Sequence, residues 1–235
     1  MRDTEEAVAG SGETDSQTEV KDRSGEAMGG DEHAWPAEQR GVMIAGENPM
    51  IVLYRPGSDE VIAIASVWTS RYSPAGTGRA LIIWCDPEAT GLGEAAPVGI
   101  FADNPELATY VWVNFYKDYE PIHGHGIDDL PVREAHFEEV DEGPDFHRIS
   151  CRAGSTSIDL EWRDALDVFQ KVTYPTGFEV SVIAVPCARA AIVVNGTAGV
   201  GEVHHPEGWF GSSAILAFAE TWIALETAPG DEDAG

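Results

Sequence analysis

Positive charge is what this chain has least of. Fourteen lysines and arginines stand against 41 aspartates and glutamates, a formal net charge of −27 over 235 residues. Lys21, Lys117 and Lys171 are its only lysines. The ends hold part of the excess, yet residues 41–225 still carry 26 acids and 10 bases. Such a surface repels phosphate backbones and anionic headgroups, because nucleic-acid binding draws on a cationic patch that releases counterions. Nucleic acid and membrane are therefore not expected partners. The same balance is halophilic-like, since dense salt shortens the range of self-repulsion, and a biased genome composition would produce it equally well.

Cysteine is scarce too. Cys85, Cys151 and Cys187 are odd in number, form no CxxC pair, and each lies in or beside an apolar run. Buried free thiols in a reducing compartment follow, rather than a disulfide framework. The N-terminus has no basic segment followed by an apolar one, and no window approaches the roughly 18 apolar residues of a membrane span. A soluble, cytoplasmic protein is the expectation. Nucleotide and hydrolase signatures are missing as well. There is no P-loop, HExxH or GxSxG, and Gly196, Gly199 and Gly201 end on His204 where a GxGxxG would need glycine.

What remains is a chain of short strands. Residues 1–42 are polar and acidic without periodicity, which predicts a disordered arm, and 226–235 form an acidic tail. Residues 43–225 read as one domain. Met50–Arg55, a Pro56–Asp59 turn and Val61–Trp68 predict a hairpin, followed by strands over Arg79–Cys85 and Val98–Phe101. Asn104–Leu107 predicts a helical turn before a strand over Ala108–Lys117. Val132–Val140, Phe146–Arg152, Ser157–Arg163 and Asp167–Tyr174 alternate with a period of two, clearest in Ile158–Trp162. Glu179–Val185 predicts a strand stopped by Pro186. Asn195-Gly196 then marks a tight turn in which both residues tolerate positive φ. Ser212–Leu225 fits helix or strand, and the preceding strands favour a closing strand. The fold class is therefore all-β, an antiparallel barrel of lipocalin-like shape or a two-sheet sandwich with at most one short helix.

Three constellations could carry chemistry. On the return from the Asn195-Gly196 turn, Glu202 and His204 are two residues apart and share a strand face. A carboxylate beside an imidazole suits proton transfer, with isomerase or lyase chemistry as the class and no cofactor required. Tyr110, Trp112, Asn114 and Tyr116 would share one face of a strand and line a cavity for a small, mostly apolar ligand, with Trp209 as a cap; an ordinary aromatic core gives the same pattern. His123-Gly-His125 with Glu134 and His136 supplies two closely spaced histidines, a carboxylate and a fourth ligand for a divalent transition metal.

That third pattern resembles the cupin family, with Gly201 through Pro206 to Gly208 as an echo of its second motif. The resemblance implies a metal-dependent enzyme on a double-stranded barrel. The sequence departs from it where Lys117 replaces an expected glycine and where Asp129 or Leu130 stands at the glutamate position. The primary expectation is a small-molecule-binding β-barrel, enzymatic or not. The alternatives are the cupin-like metalloenzyme and a non-catalytic interaction domain whose acidic arm engages a basic partner. The oligomeric state is left open.

Overall fold

A computed structural model describes residues 40–117, 122, 130–173, 178–206 and 211–224. The expected class holds: the described residues are mostly β-strand, with one short helical stretch of 12 residues among them. Its strands are β1 (Arg40–Glu47), β2 (Met50–Tyr54), β3 (Val61–Tyr72), β4 (Gly78–Cys85), β5 (Val98–Ala102), β6 (Val132–Glu134) and β7 (His136–Asp141). They are followed by β8 (Phe146–Ala153), β9 (Thr156–Ala165), β10 (Phe169–Thr173), β11 (Glu179–Val194), β12 (Thr197–Ala198) and β13 (Ala214–Ala224).

All belong to one hydrogen-bonded path, β6-β5-β4-β3-β1-β13-β11-β9-β8-β7, with β2, β10 and β12 attached at its sides. Its two ends are separated by the single residue Ala135, whose N–H donates to the Ala102 carbonyl at 2.8 Å. The sheet thus doubles back on itself without making a clean barrel. Two layers result. The inner layer is β1 to β6 with β10, β13 and the first half of β11, and the outer is β7, β8, β9, β12 and the second half of β11.

Hydrophobic burial explains the layering. Leu53, Val67, Leu81, Ile83 and Phe101 of the inner layer pack against Phe137, Ile149, Ile158, Leu160 and Trp162 of the outer one. The other face of the inner layer, with Ile64, Trp68, Ile82 and Ile100, is covered by α1 (Pro105–Val111) and the π-helical turn that continues it, Trp112–Tyr116. With both faces covered, β3 is buried at nine consecutive positions, whereas β9, covered on one face, alternates.

Three sequence expectations are corrected here. Ala108–Lys117 is not a strand. Asn104 caps the helix by accepting from the Glu106 and Leu107 amides, Pro105 occupies the first turn, and the Lys117 N–H closes on the Trp112 carbonyl at 2.9 Å. Leu107, Ala108, Val111, Trp112 and Tyr116 make a helical stripe that a period-two reading of the same aromatics hides. Pro186 does not stop its strand. Its carbonyl accepts from Leu166 N–H at the corner between β9 and β10, so no ladder bond needs the missing proline N–H. And β1 begins at Arg40, inside the stretch expected to be an arm; it pairs with β13 and β3, distant segments that no local pattern announces.

Two expectations hold. Residues 214–224 form the closing strand. Asn195 and Gly196 turn with φ of 50° and 82°, and Asn195 Oδ1 also accepts from Ser157 N–H at 2.9 Å.

Candidate functional site

The segment after the Asn195-Gly196 turn pairs for only two residues, as β12, and then crosses to the end of β2. Gly201 permits the crossing: a Cβ there would lie 2.8 Å from Leu53 Cβ. Tyr54 and Glu202 then make one isolated antiparallel bridge, each N–H donating to the other's carbonyl at 3.0 Å. A second clamp follows at His204. Its N–H donates to Ser213 Oγ at 3.0 Å, Ser213 N–H donates back to its carbonyl at 2.8 Å, and Ser213 Oγ donates to the Val52 carbonyl at 2.8 Å. Ser213 is wholly buried, so the His204 backbone is fixed against β2.

These clamps assemble four side chains. His204 stacks flat on Tyr54, with ring centroids 3.9 Å apart and planes 5° from parallel. Its Nε2 is 3.5 Å from Glu202 Oε1, and its Nδ1 is 3.7 Å from Asp59 Oδ1. Glu202 Oε1 also accepts from Gly57 N–H at 2.9 Å, which ties the carboxylate to the β2–β3 turn. That turn is itself braced by a two-pronged Arg55–Glu60 ion pair, at 2.6 and 2.9 Å. Burial, and secondarily the Asp59 carboxylate, hold the Tyr54 phenol above its ordinary pKa. The imidazole remains about one-quarter exposed, so a solute can reach it.

The pair expected from the sequence, Glu202 and His204, is therefore brought together, but by a bridge to β2 rather than by a shared hairpin face. Tyr54 and Asp59 lie some 150 positions earlier in the chain, and no sequence signal linked them to the pair.

The aromatic set is arranged differently from the strand face expected. Tyr110, Trp112, Asn114 and Tyr116 occupy the helical stretch, where residues two apart point to nearly opposite sides. Tyr110 donates its hydroxyl to the Met43 carbonyl at 3.1 Å, and Asn114 Nδ2 donates to the Tyr110 carbonyl at 2.8 Å. The Tyr116 hydroxyl is 2.6 Å from Ser66 Oγ, which also accepts from Asn48 Nδ2 at 2.9 Å. Trp112 is buried against the inner layer. Trp209 lies outside the described residues.

His123 and His125 also lie outside them. Glu134 and His136 are exposed on the outward side of β6 and β7, while Ala135 and Phe137 point into the core. His136 Nε2 comes no nearer than 4.0 Å to Glu138. Among the described residues no three metal-ligating side chains converge. The three thiols are buried and unpaired, and burial pushes Cys85 and Cys151 up to about 12, far from a reactive thiolate.

Comparison of the chain with protein-family models, curated proteins and solved structures found no match.

Proposed function

We propose that the protein binds a small molecule at the end of the sheet where β2 turns into β3, and that Glu202 and His204 transfer protons on it. The observation that carries this reading is one imidazole with a carboxylate facing each ring nitrogen and an aromatic ring stacked beneath. Imidazole can take a proton at one nitrogen while releasing one at the other, and the flanking carboxylates stabilise the charged intermediate state. Gly57 and Ser213 hold the geometry without occupying the exposed ring edge. Isomerisation, hydration, dehydration and cyclisation can each proceed by such proton transfer without a cofactor, so isomerase or lyase chemistry on a small, largely apolar carbonyl compound is the class.

The test needs no prior substrate. A fragment library of enolisable carbonyl compounds is screened by ligand-observed NMR, and the hits are followed in D2O for carbon-bound hydrogen exchange. The wild type is expected to accelerate exchange, His204→Ala to slow it by about 100-fold or more, and Glu202→Gln to do the same with binding largely kept. Exchange that survives both substitutions would remove the pair from the chemistry.

A further inference from the structure

A second feature at the same end of the molecule has no role in the reading above. Arg133 on β6 stands directly opposite Phe101 on β5, and Ala135 and Phe137, two and four residues on, are part of the core between the layers. Arg133 therefore lies on the layer-facing side of its strand but is itself exposed, at the rim where the layers part. Its guanidinium lies over the Phe101 ring, 5.2 Å from the centroid. Gly99 lies on the same side, and a Cβ there would crowd the Pro131 carbonyl at 3.0 Å. It opens on a cleft of about 440 Å³ whose walls include Glu94, Pro97, Val98, Thr156 and Asn195.

In a chain so rich in acid, most arginines among the described residues have a carboxylate partner. Arg55, Arg71, Arg79, Arg163 and Arg189 each bond one. Arg133 has none among the described residues. Arg148 and Arg152 lack one too, but neither lines this cleft. The ring beneath Arg133 pre-sets the fork, and a planar carboxylate fits that fork with two parallel hydrogen bonds. Ala95 to Val98 offer an apolar wall, and Thr156 and Asn195 polar edges. Glu94 and the net charge of −27 oppose a dianion far more than a monoanion.

We propose that this cleft binds a small monocarboxylate, the carboxylate on Arg133 and the apolar body against residues 95–98. The site is independent of the acid–base pair, and the experiment separates them. Sodium benzoate is titrated into the 15N-labelled full chain in low-chloride buffer, with neutral benzamide and inorganic phosphate as controls. Benzoate is expected to shift the amides of residues 94–98, Thr156 and Asn195 saturably. Arg133→Gln should weaken binding by about tenfold or more and Arg133→Lys by less, while His204→Ala leaves it unchanged. Because loss of the guanidinium also uncovers Phe101, the Lys variant and an unchanged melting temperature guard against a folding artefact. Absence of benzoate binding, equal shifts with benzamide, tighter binding of phosphate, or full affinity in Arg133→Gln would each overturn the proposal.

Discussion

At the scale of single residues, the site depends on side chains that do no chemistry. Ser213 satisfies a backbone donor and a backbone acceptor from two different segments. Ser213→Ala leaves the part-buried His204 N–H and the buried Val52 carbonyl without that partner. The expected loss is about 1–3 kcal/mol in urea unfolding, accompanied by larger motion of the His204 ring in NMR relaxation. Asp59 acts on Tyr54 through its charge. The phenol's pKa is raised first by burial and then by Asp59, so Asp59→Asn should lower the pH at which Tyr54 titrates without returning it to the free value. Ring-labelled tyrosine NMR reads this directly, and an unmoved titration would place Asp59 too far from the phenol to matter.

At the scale of elements, the helical stretch depends on one cap. Asn104 Oδ1 accepts from two helix amides, while its Nδ2 donates to the Ala75 and Thr77 carbonyls at 3.1 and 3.0 Å. Asn104→Ala should therefore cost about 1–2 kcal/mol and loosen the β3–β4 turn along with the helix, seen as faster amide exchange in both. The helical turn at 104–107 was legible from Asn-Pro-Glu, a capping residue before a first-turn proline. Its continuation was not, because Tyr110 to Tyr116 is apolar or aromatic at almost every position and satisfies both periods. Packing decided: the stripe from Leu107 to Tyr116 meets the sheet face of Ile64, Trp68 and Ile82, which would otherwise face water. The continuous apolar runs at 61–68 and 80–85 already carried that information, since a strand buried on one face alone alternates.

At the scale of the whole molecule, charge and buried thiols set the response to solvent. Self-repulsion within a −27 chain is screened by salt, so the melting temperature should rise between low and molar NaCl; a flat or falling profile would show that the acids are already locally compensated. The cysteines govern the alkaline side. Their native pKa values of about 12, 12 and 11 lie above the ordinary 9.0, so the folded state holds the protons more tightly. The stability this contributes is complete below about pH 9 and is lost as pH rises through the native values, on the order of 4 kcal/mol for Cys85. Cys85→Ala should flatten that alkaline loss in denaturant titrations at pH 8 to 11, even though the cavity it leaves lowers stability at neutral pH.

By itself the sequence determined the local events: the hairpin from Met50 to Trp68, the alternating outer strands and the Asn195-Gly196 turn. Each follows from forces acting over a few residues, such as turn stereochemistry, period and burial. Only the tertiary structure decided what depends on distant partners. Pairing with β13 and β3 made a strand of Arg40–Glu47, a corner at Leu166 let β11 run through Pro186, and the crossing over Leu53 set Tyr54 and Asp59 around His204. Long-range pairing has no local signature, because the hydrogen bonds that reward it lie on another part of the chain.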